Sequence, residues 1–387
     1  MIADNVGAAF GRPPHTPAGP GRAAKGRPYR GARLLAILTA AALLLTGCST
    51  LLERDYTSVT PHSAVPATEG DPSILRADSY QELVNALIYF INGGVEEGVV
   101  RLYTGAEQVE AFLSDACLEV VQEDPLGAYC VEFIKYTVDP VVTYFEAKLD
   151  ITYRRTREQV ATIVQATGAA AIRGELRTAL TTFAPERALR ISYFEEDEGF
   201  IRELVRQAYY DAPSFALGMP EVAVSIYPNS GRQRIVEILL TYPLEPSQLE
   251  ERHRELAQAL EELARLPELL SPAEPPALAA ARALMEGRGF DPQGGNTAYD
   301  LFHAGAADSE GLALAYAALC QLMELPCQAA GGELEGEPRF WNVVQTQEGW
   351  RHLDLSAEHP EGPALYTDAQ LAELGYAWEE GGLPACG

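Results

Sequence analysis

Positive charge is scarce in this chain beyond its first 47 residues. That opening stretch holds Arg12, Arg22, Lys25, Arg27, Arg30 and Arg33 against Asp4 alone. The remainder carries 23 basic and 54 acidic side chains, a net of −31. Such a surface repels phosphate backbones and anionic headgroups, so nucleic acid is excluded as a partner and any membrane attachment must be covalent or apolar. The chain also lacks a C-x-x-C pair and any histidine cluster. Cys48, Cys117, Cys130, Cys320, Cys327 and Cys386 stand singly, as do six histidines, so no zinc spacing is present, and neither metal nor cofactor is expected. With Cys48 set aside, five cysteines cannot all pair; a Cys117–Cys130 disulfide and buried free thiols both remain open.

Apolar runs long enough to span a membrane are also missing, and one short run stands near the start. After a Gly-, Pro-, Ala- and Arg-rich start, Arg30–Arg33 precede LLAILTAAALLLTGCS. A basic segment, about a dozen apolar residues and then small residues make a signal peptide over 1–47, too short for a comfortable transmembrane helix. Its basic segment is long, which suggests a start downstream of Met1. Leu45-Thr46-Gly47-Cys48 resembles a bacterial lipobox, which implies a cysteine that is acylated and becomes the new N-terminus. Two or three acyl chains anchor stably where one does not. The expected location is the extracytoplasmic face of a bacterial cell membrane. Residues 48–73, rich in Ser, Thr and Pro and without periodicity, read as a flexible tether.

From Ile74 to residue 270 two segments follow one order of elements. In the first, about 74–156, a helix (SYQELVNALIYFINGG) leads to a strand (VEEGVVRLY). A second helix follows, then a turn at Asp124-Pro125 and two strands (CVEFIKYTV, YFEAKLDITY). The second segment, about 168–245, repeats this as AAIRGELRTALTTFA, RALRISYF, GFIRELVRQAYYDA, EVAVSIYP and RIVEILLTYP. Period-2 alternation about a turn marks a hairpin in each. We read an internal duplication of an αβαββ unit. No nucleophile, acid–base pair or phosphate loop stands out in either, so binding or spacing is their expected role. A charged amphipathic helix follows between Pro246 and Pro267, with His253 on its solvated face. LLSPAEPPAL is a linker, and 276–387 opens with a helix running into a loop.

The final segment carries GFDP, TAYDLF, DSEGLALAYAALCQLMELPCQAAGG, RFWNVV and GWRHLDL in order. This series resembles the bacterial transglutaminase-like domain of the papain-like superfamily, from about Ala277 to Gly387. The tail LYTDAQLAELGYAW…LPAC resembles the closing segment of lipoproteins of that family. The resemblance implies an α+β fold with a central helix feeding a small antiparallel sheet. It also implies a thiolate nucleophile at the helix start, an imidazole base on one strand and a carboxylate on the next. Carried over by position, these places fall on Ser309, Arg339 and Asp354, separated by 30 and 15 residues. Only the acid is retained.

Serine is a weak nucleophile unless a base takes its proton. Arginine cannot be that base, because its pKa lies above ~12. An Arg339–Asp354 ion pair is the expected consequence, and Asp308 and Glu310 add charge hostile to an alkoxide. His352 matches a position that ordinarily packs; as a substitute base it is the less favoured reading. His303 and His359 read as surface residues, Cys320 and Cys327 as core, and Trp350 as a core anchor. Trp341 and Asn342, with His352, could line a cleft. The sequence therefore predicts an inactive, lipid-anchored binding or scaffolding protein whose ligand is a peptide or cell-wall-associated molecule. The alternatives are a weak Ser309-dependent amidase, acyltransferase or peptidase with a base foreign to the family, and a purely structural module with a filled cleft.

Overall fold

The structure, a computed structural model, describes residues 66–68, 71, 73–270, 274–357, 362–379 and 381–387. The signal segment, Cys48, most of the tether and His359 lie outside these. Among the described residues, which fall in one compact unit, no helix is long and apolar enough to cross a membrane. The architecture is α+β, with three four-stranded sheets and one two-stranded pair among the described strands.

The first segment runs β1 (Ile74–Ala77), α1 (Tyr80–Gly93), β2 (Glu97–Leu102), α2 (Val109–Glu123), α3 (Pro125–Cys130), β3 (Val131–Val141) and β4 (Tyr144–Tyr153). Local chemistry sets its limits. Ser79 caps α1 by accepting the Glu82 N–H, and Gly94 ends it at φ 60°, a left-handed conformation that glycine adopts without strain. Leu83, Leu87, Phe90 and their neighbours form the buried stripe of α1. Asp124-Pro125, expected as a turn, instead starts α3. The carboxylate accepts the Leu126 and Gly127 N–H groups, and proline occupies the first helical turn, where its missing donor costs nothing.

The second segment runs α4 (Arg157–Ala161), β5 (Val164–Ala166), α5 (Ala169–Thr181), β6 (Glu186–Ser192), α6 (Glu198–Tyr210), β7 (Glu221–Tyr227) and β8 (Gln233–Thr241). Its sheet order, β5-β6-β8-β7, matches β1-β2-β4-β3 of the first. In both, the first pair is parallel and the other two are antiparallel. Each segment therefore has a leading strand that the expected αβαββ order omits. One face of the second sheet packs on α5 and α6. From the other, Ala188 and Ile235 enter the first segment's core, Tyr227 meets Tyr129 edge-on at 5.6 Å, and Arg155 pairs with Glu237, which is 4% exposed.

The chain continues as α7 (Pro246–Ala264), α8 (Pro267–Leu270), α9 (Pro276–Met285), β9 (Gly289–Gly295), α10 (Ala298–Ala304), β10 (Ala306–Ala307) and α11 (Ser309–Leu322). It closes with β11 (Cys327–Leu334), β12 (Glu337–Thr346), β13 (Gly349–Leu353), α12 (Asp368–Glu373) and β14 (Tyr376–Ala377). GFDPQGG, expected in a loop, is β9, paired in parallel with β10; its register is imposed by α10 turning the chain back and not by any alternation of its own. The last sheet is antiparallel in the order β13-β12-β11-β14. Helix α11 is buried all round from Gly311 to Cys320, as its unbroken apolar run requires. It lies on one face of that sheet, where Asn342 donates to the Ala313 carbonyl at 2.9 Å. On the other face Ala330, Trp341 and Val343 pack with Leu371, Tyr376 and Cys386. One apolar core joins the second segment, α7 and the final segment.

Candidate functional site

Helix α11 presents Ser309 as its first residue. Asp308 sets this by accepting the Gly311 N–H at 2.9 Å in a β-region cap conformation. Gly311 is needed for close approach: a Cβ there would stand 2.8 Å from the Ala307 Cβ and 2.9 Å from the Gly295 carbonyl oxygen. The Ser309 Oγ accepts the Phe340 N–H at 3.2 Å, which ties the helix start to β12. Among the described residues no acceptor takes the Ser309 hydroxyl proton. One residue back on β12, the Arg339 Nε donates to Asp354 Oδ2 at 2.9 Å. Asp354 is 1% exposed and also accepts from the Tyr376 hydroxyl at 2.6 Å, the Ser356 N–H at 2.7 Å and the Ser356 hydroxyl. The three positions carried over from the resemblance thus meet at β12, Ser309 through the Phe340 amide and Asp354 through Arg339, and the carboxylate has its acceptor sites filled.

Two walls of this place come from elsewhere in the chain. The Phe290 ring of β9 lies 5.0 Å from the Arg339 guanidinium carbon, close enough for a cation–π contact. Tyr210, the last residue of α6, sets its ring 5.8 Å from that of Phe340 and donates its hydroxyl to Glu310 at 2.8 Å. Asn296 donates to the other Glu310 oxygen at 3.1 Å. Burial pushes the carboxyls of Glu310 and Asp308 above their ordinary range, against the hydrogen bonds that lower them. Tyr210 was not singled out from the sequence, and Glu310 was read there only as a charge beside Ser309. Nothing at either position signals a contact between segments 100 residues apart.

His352, Trp341 and Asn342 are buried, and their polar atoms turn inward. Trp341 Nε1 donates to His352 Nδ1 at 3.0 Å, and His352 Nε2 lies 2.8 Å from Asp368 Oδ1. An indole can only donate, so Nδ1 must accept and Nε2 carries the proton, given to Asp368. Both ring nitrogens are engaged, so His352 does not serve as a base for Ser309. His352, Asp368 and Cys386 also offer three ligand atoms within 4.8 Å of one another. A metal on Nε2 would move the proton to Nδ1, facing the Trp341 N–H donor, so this set does not fit a metal. Nor is Cys386 a nucleophile poised by that imidazole: burial pushes its thiol up to about 11. The group works as a clasp instead. Asp368 Oδ2 accepts the Cys386 N–H at 2.9 Å, and the Asp368 N–H donates to the Cys386 carbonyl at 2.8 Å, fixing the tail.

This clasp has a pH signature. Burial holds the His352 imidazole below its ordinary 6.5, although Asp368 pulls the other way. A depressed folded-state pKa means the neutral form supports the fold. That contribution is complete above the unfolded value of 6.5 and is lost as pH falls through the folded one. Urea midpoints compared at about pH 7.5 and about pH 5 should fall in acid, and His352→Gln should lessen the fall.

Other sequence expectations fare variously. Cys117 and Cys130 are buried free thiols. Cys320 is buried and Cys327 half-buried. His253 is not on a solvated face: its ring stacks on Phe215 at 3.7 Å and its Nδ1 meets the Ser214 carbonyl at 3.0 Å, because α7 turns that side onto the loop after α6. His303 is exposed and stacks on Tyr299.

No family model matches the chain, and no curated protein does. Among solved structures it is similar to a TGase, with TM-score 0.26 and 14% identity over 51% of this chain and 60% of the other. It is also similar to a proposed cysteine protease from Cytophaga hutchinsonii, with TM-score 0.23 and 13% identity over 38% and 65%. Both likenesses are weak. The chain spans less than two-thirds of either structure, and at these scores neither decides what it does.

Proposed function

We propose that this is a lipid-anchored extracytoplasmic protein whose residues 276–387 form a transglutaminase-like, papain-superfamily domain that binds without catalysing. In this reading Cys48 carries the lipid, 48–73 is the tether, and 74–270 arose by duplication. Their common strand order and pairing senses support that origin. The ligand is a peptide or cell-wall-associated molecule.

One observation carries the non-catalytic part. The place of the base holds Arg339, a permanent cation bound to Asp354 at 2.9 Å, while the Ser309 oxygen accepts a backbone N–H and hands its proton to no partner among the described residues. A serine without a base lacks the group that makes it nucleophilic, and a triad without its base typically loses several orders of magnitude in rate. The test is turnover. With glutamine-containing peptides and simple peptide amides, neither hydrolysis nor amine transfer should rise above the uncatalysed rate, and Ser309→Ala should behave identically. Turnover that disappears in Ser309→Ala would establish the serine-dependent amidase or acyltransferase instead.

A further inference from the structure

The geometry points to a receptor for a carboxylate carried on an apolar group, formed by Arg339 and Ser309 between the rings of Phe290, Phe340 and Tyr210. This rests on the non-catalytic reading of the site and names the chemistry it would bind.

A guanidinium has five N–H donors in a fixed fork. Asp354 takes the Nε donor at 2.9 Å, and the Tyr376 hydroxyl oxygen lies beside the same group. That leaves most of the Nη donors over. The Arg339 side chain keeps 15% of its surface exposed whereas its partner carboxylate keeps 1%, so the fork is oriented from beneath and reachable from above. A buried acid gripping Nε is a positioning group: it holds the plane of the guanidinium so that the outer nitrogens meet a second carboxylate edge-on. The Ser309 oxygen already accepts the Phe340 N–H, so its proton is free to point at a ligand oxygen.

The surroundings narrow the ligand. Phe290 lies against the guanidinium, is itself 37% exposed, and offers an apolar face to whatever the carboxylate is attached to. Phe340 and Tyr210 pack ring to ring at 5.8 Å, next to Ser309 through the Phe340 amide. Both oxygens of Glu310 are engaged, by Tyr210 and Asn296, and one oxygen of Asp308 by the Gly311 N–H, which leaves a poor acceptor set for a cationic ligand. Those same carboxyls, with Asp354, make a doubly charged phosphate unfavourable beside a single arginine; a monoanion suits the balance. A primary amide would set its own N–H donors against those of Arg339. A free carboxylic acid and the C-terminus of a peptide share the required chemistry.

Calorimetric titration of the full chain with N-acetyl-phenylalanine, N-acetyl-phenylalaninamide and N-acetyl-glycyl-phenylalanine tests this. The two acids should bind, the amide about tenfold or more weakly, and Arg339→Lys should lose about tenfold or more because an ammonium has no fork. Tighter binding of the dipeptide than of the single residue identifies a peptide terminus as the ligand; equal binding identifies any apolar carboxylate. Thermal melts check that the variants fold. Should Arg339→Lys not fold, Phe290→Ala, which alters only an exposed wall, is expected to weaken the acids. The proposal is overturned if acid and amide bind alike, if no probe binds at about 10 mM, or if folded Arg339→Lys binds undiminished. Turnover of the amide by the same preparation would sink the non-catalytic reading and leave acid binding as a separate result.

Discussion

Asp354→Ala should destabilise the chain by about 3–5 kcal/mol, read as a fall in urea midpoint at unchanged slope. The carboxylate is 1% exposed and serves four donors: the Arg339 Nε, the Tyr376 hydroxyl, and the amide and hydroxyl of Ser356. Truncation leaves a guanidinium with 15% of its surface in water and no counter-charge, together with buried donors without acceptors. The size of the effect comes from what is left unpaired and is not the net worth of the ion pair. The double replacement Arg339→Met/Asp354→Leu should therefore be much milder than Asp354→Ala alone, since it removes the orphaned charge as well. Asp354→Asn should fall between, keeping an acceptor for Ser356 while setting an amide N–H against Arg339. A single-variant loss under about 1 kcal/mol would show the pair to be solvated and the acid to have no structural grip.

The grouping of Ser309, Arg339 and Asp354 came from the resemblance to a family pattern; the residues themselves showed only an apolar helix and two strand-like runs after it. Alternation also betrayed the hairpins β3–β4 and β7–β8, and the apolar run betrayed α11. What the sequence hid has physical causes. Strands β1 and β5 hold four and three residues, too few for a period-2 pattern to stand out. The strand β9 contains three glycines and no alternation, so only its partner makes it a strand. Asp124-Pro125 is equally good turn and helix-start chemistry, and the outcome rests on what PLGAYC packs against. The roles of Tyr210, Glu310 and Asp368 depend on contacts between distant segments, which residue type and spacing do not carry. His352 was legible as a packing residue, but its tautomer was not, because that is fixed by the Trp341 N–H on one side and Asp368 on the other.

Replacing Cys48 with alanine should abolish membrane association of the whole chain, scored by carbonate-resistant sedimentation with the wild-type chain alongside. The expectation follows from the proposed lipid on Cys48 and from the charge of the body. Among the described residues no helix can span a bilayer. The chain's net charge is −26, and beyond residue 47 the balance is more acidic still, so anionic headgroups repel the body and do not hold it. Each buried methylene of an acyl chain contributes about 0.8 kcal/mol, and two chains hold where one binds only reversibly, so in the proposed reading anchorage depends on the Cys48 thiol. Raised salt sharpens the test. It screens the repulsion and would rescue a weak surface contact, yet it should not restore sedimentation of Cys48→Ala. If that variant sediments with membranes as the wild type does, the anchor lies elsewhere, and the placement of the Arg339 site outside the cell loses its support.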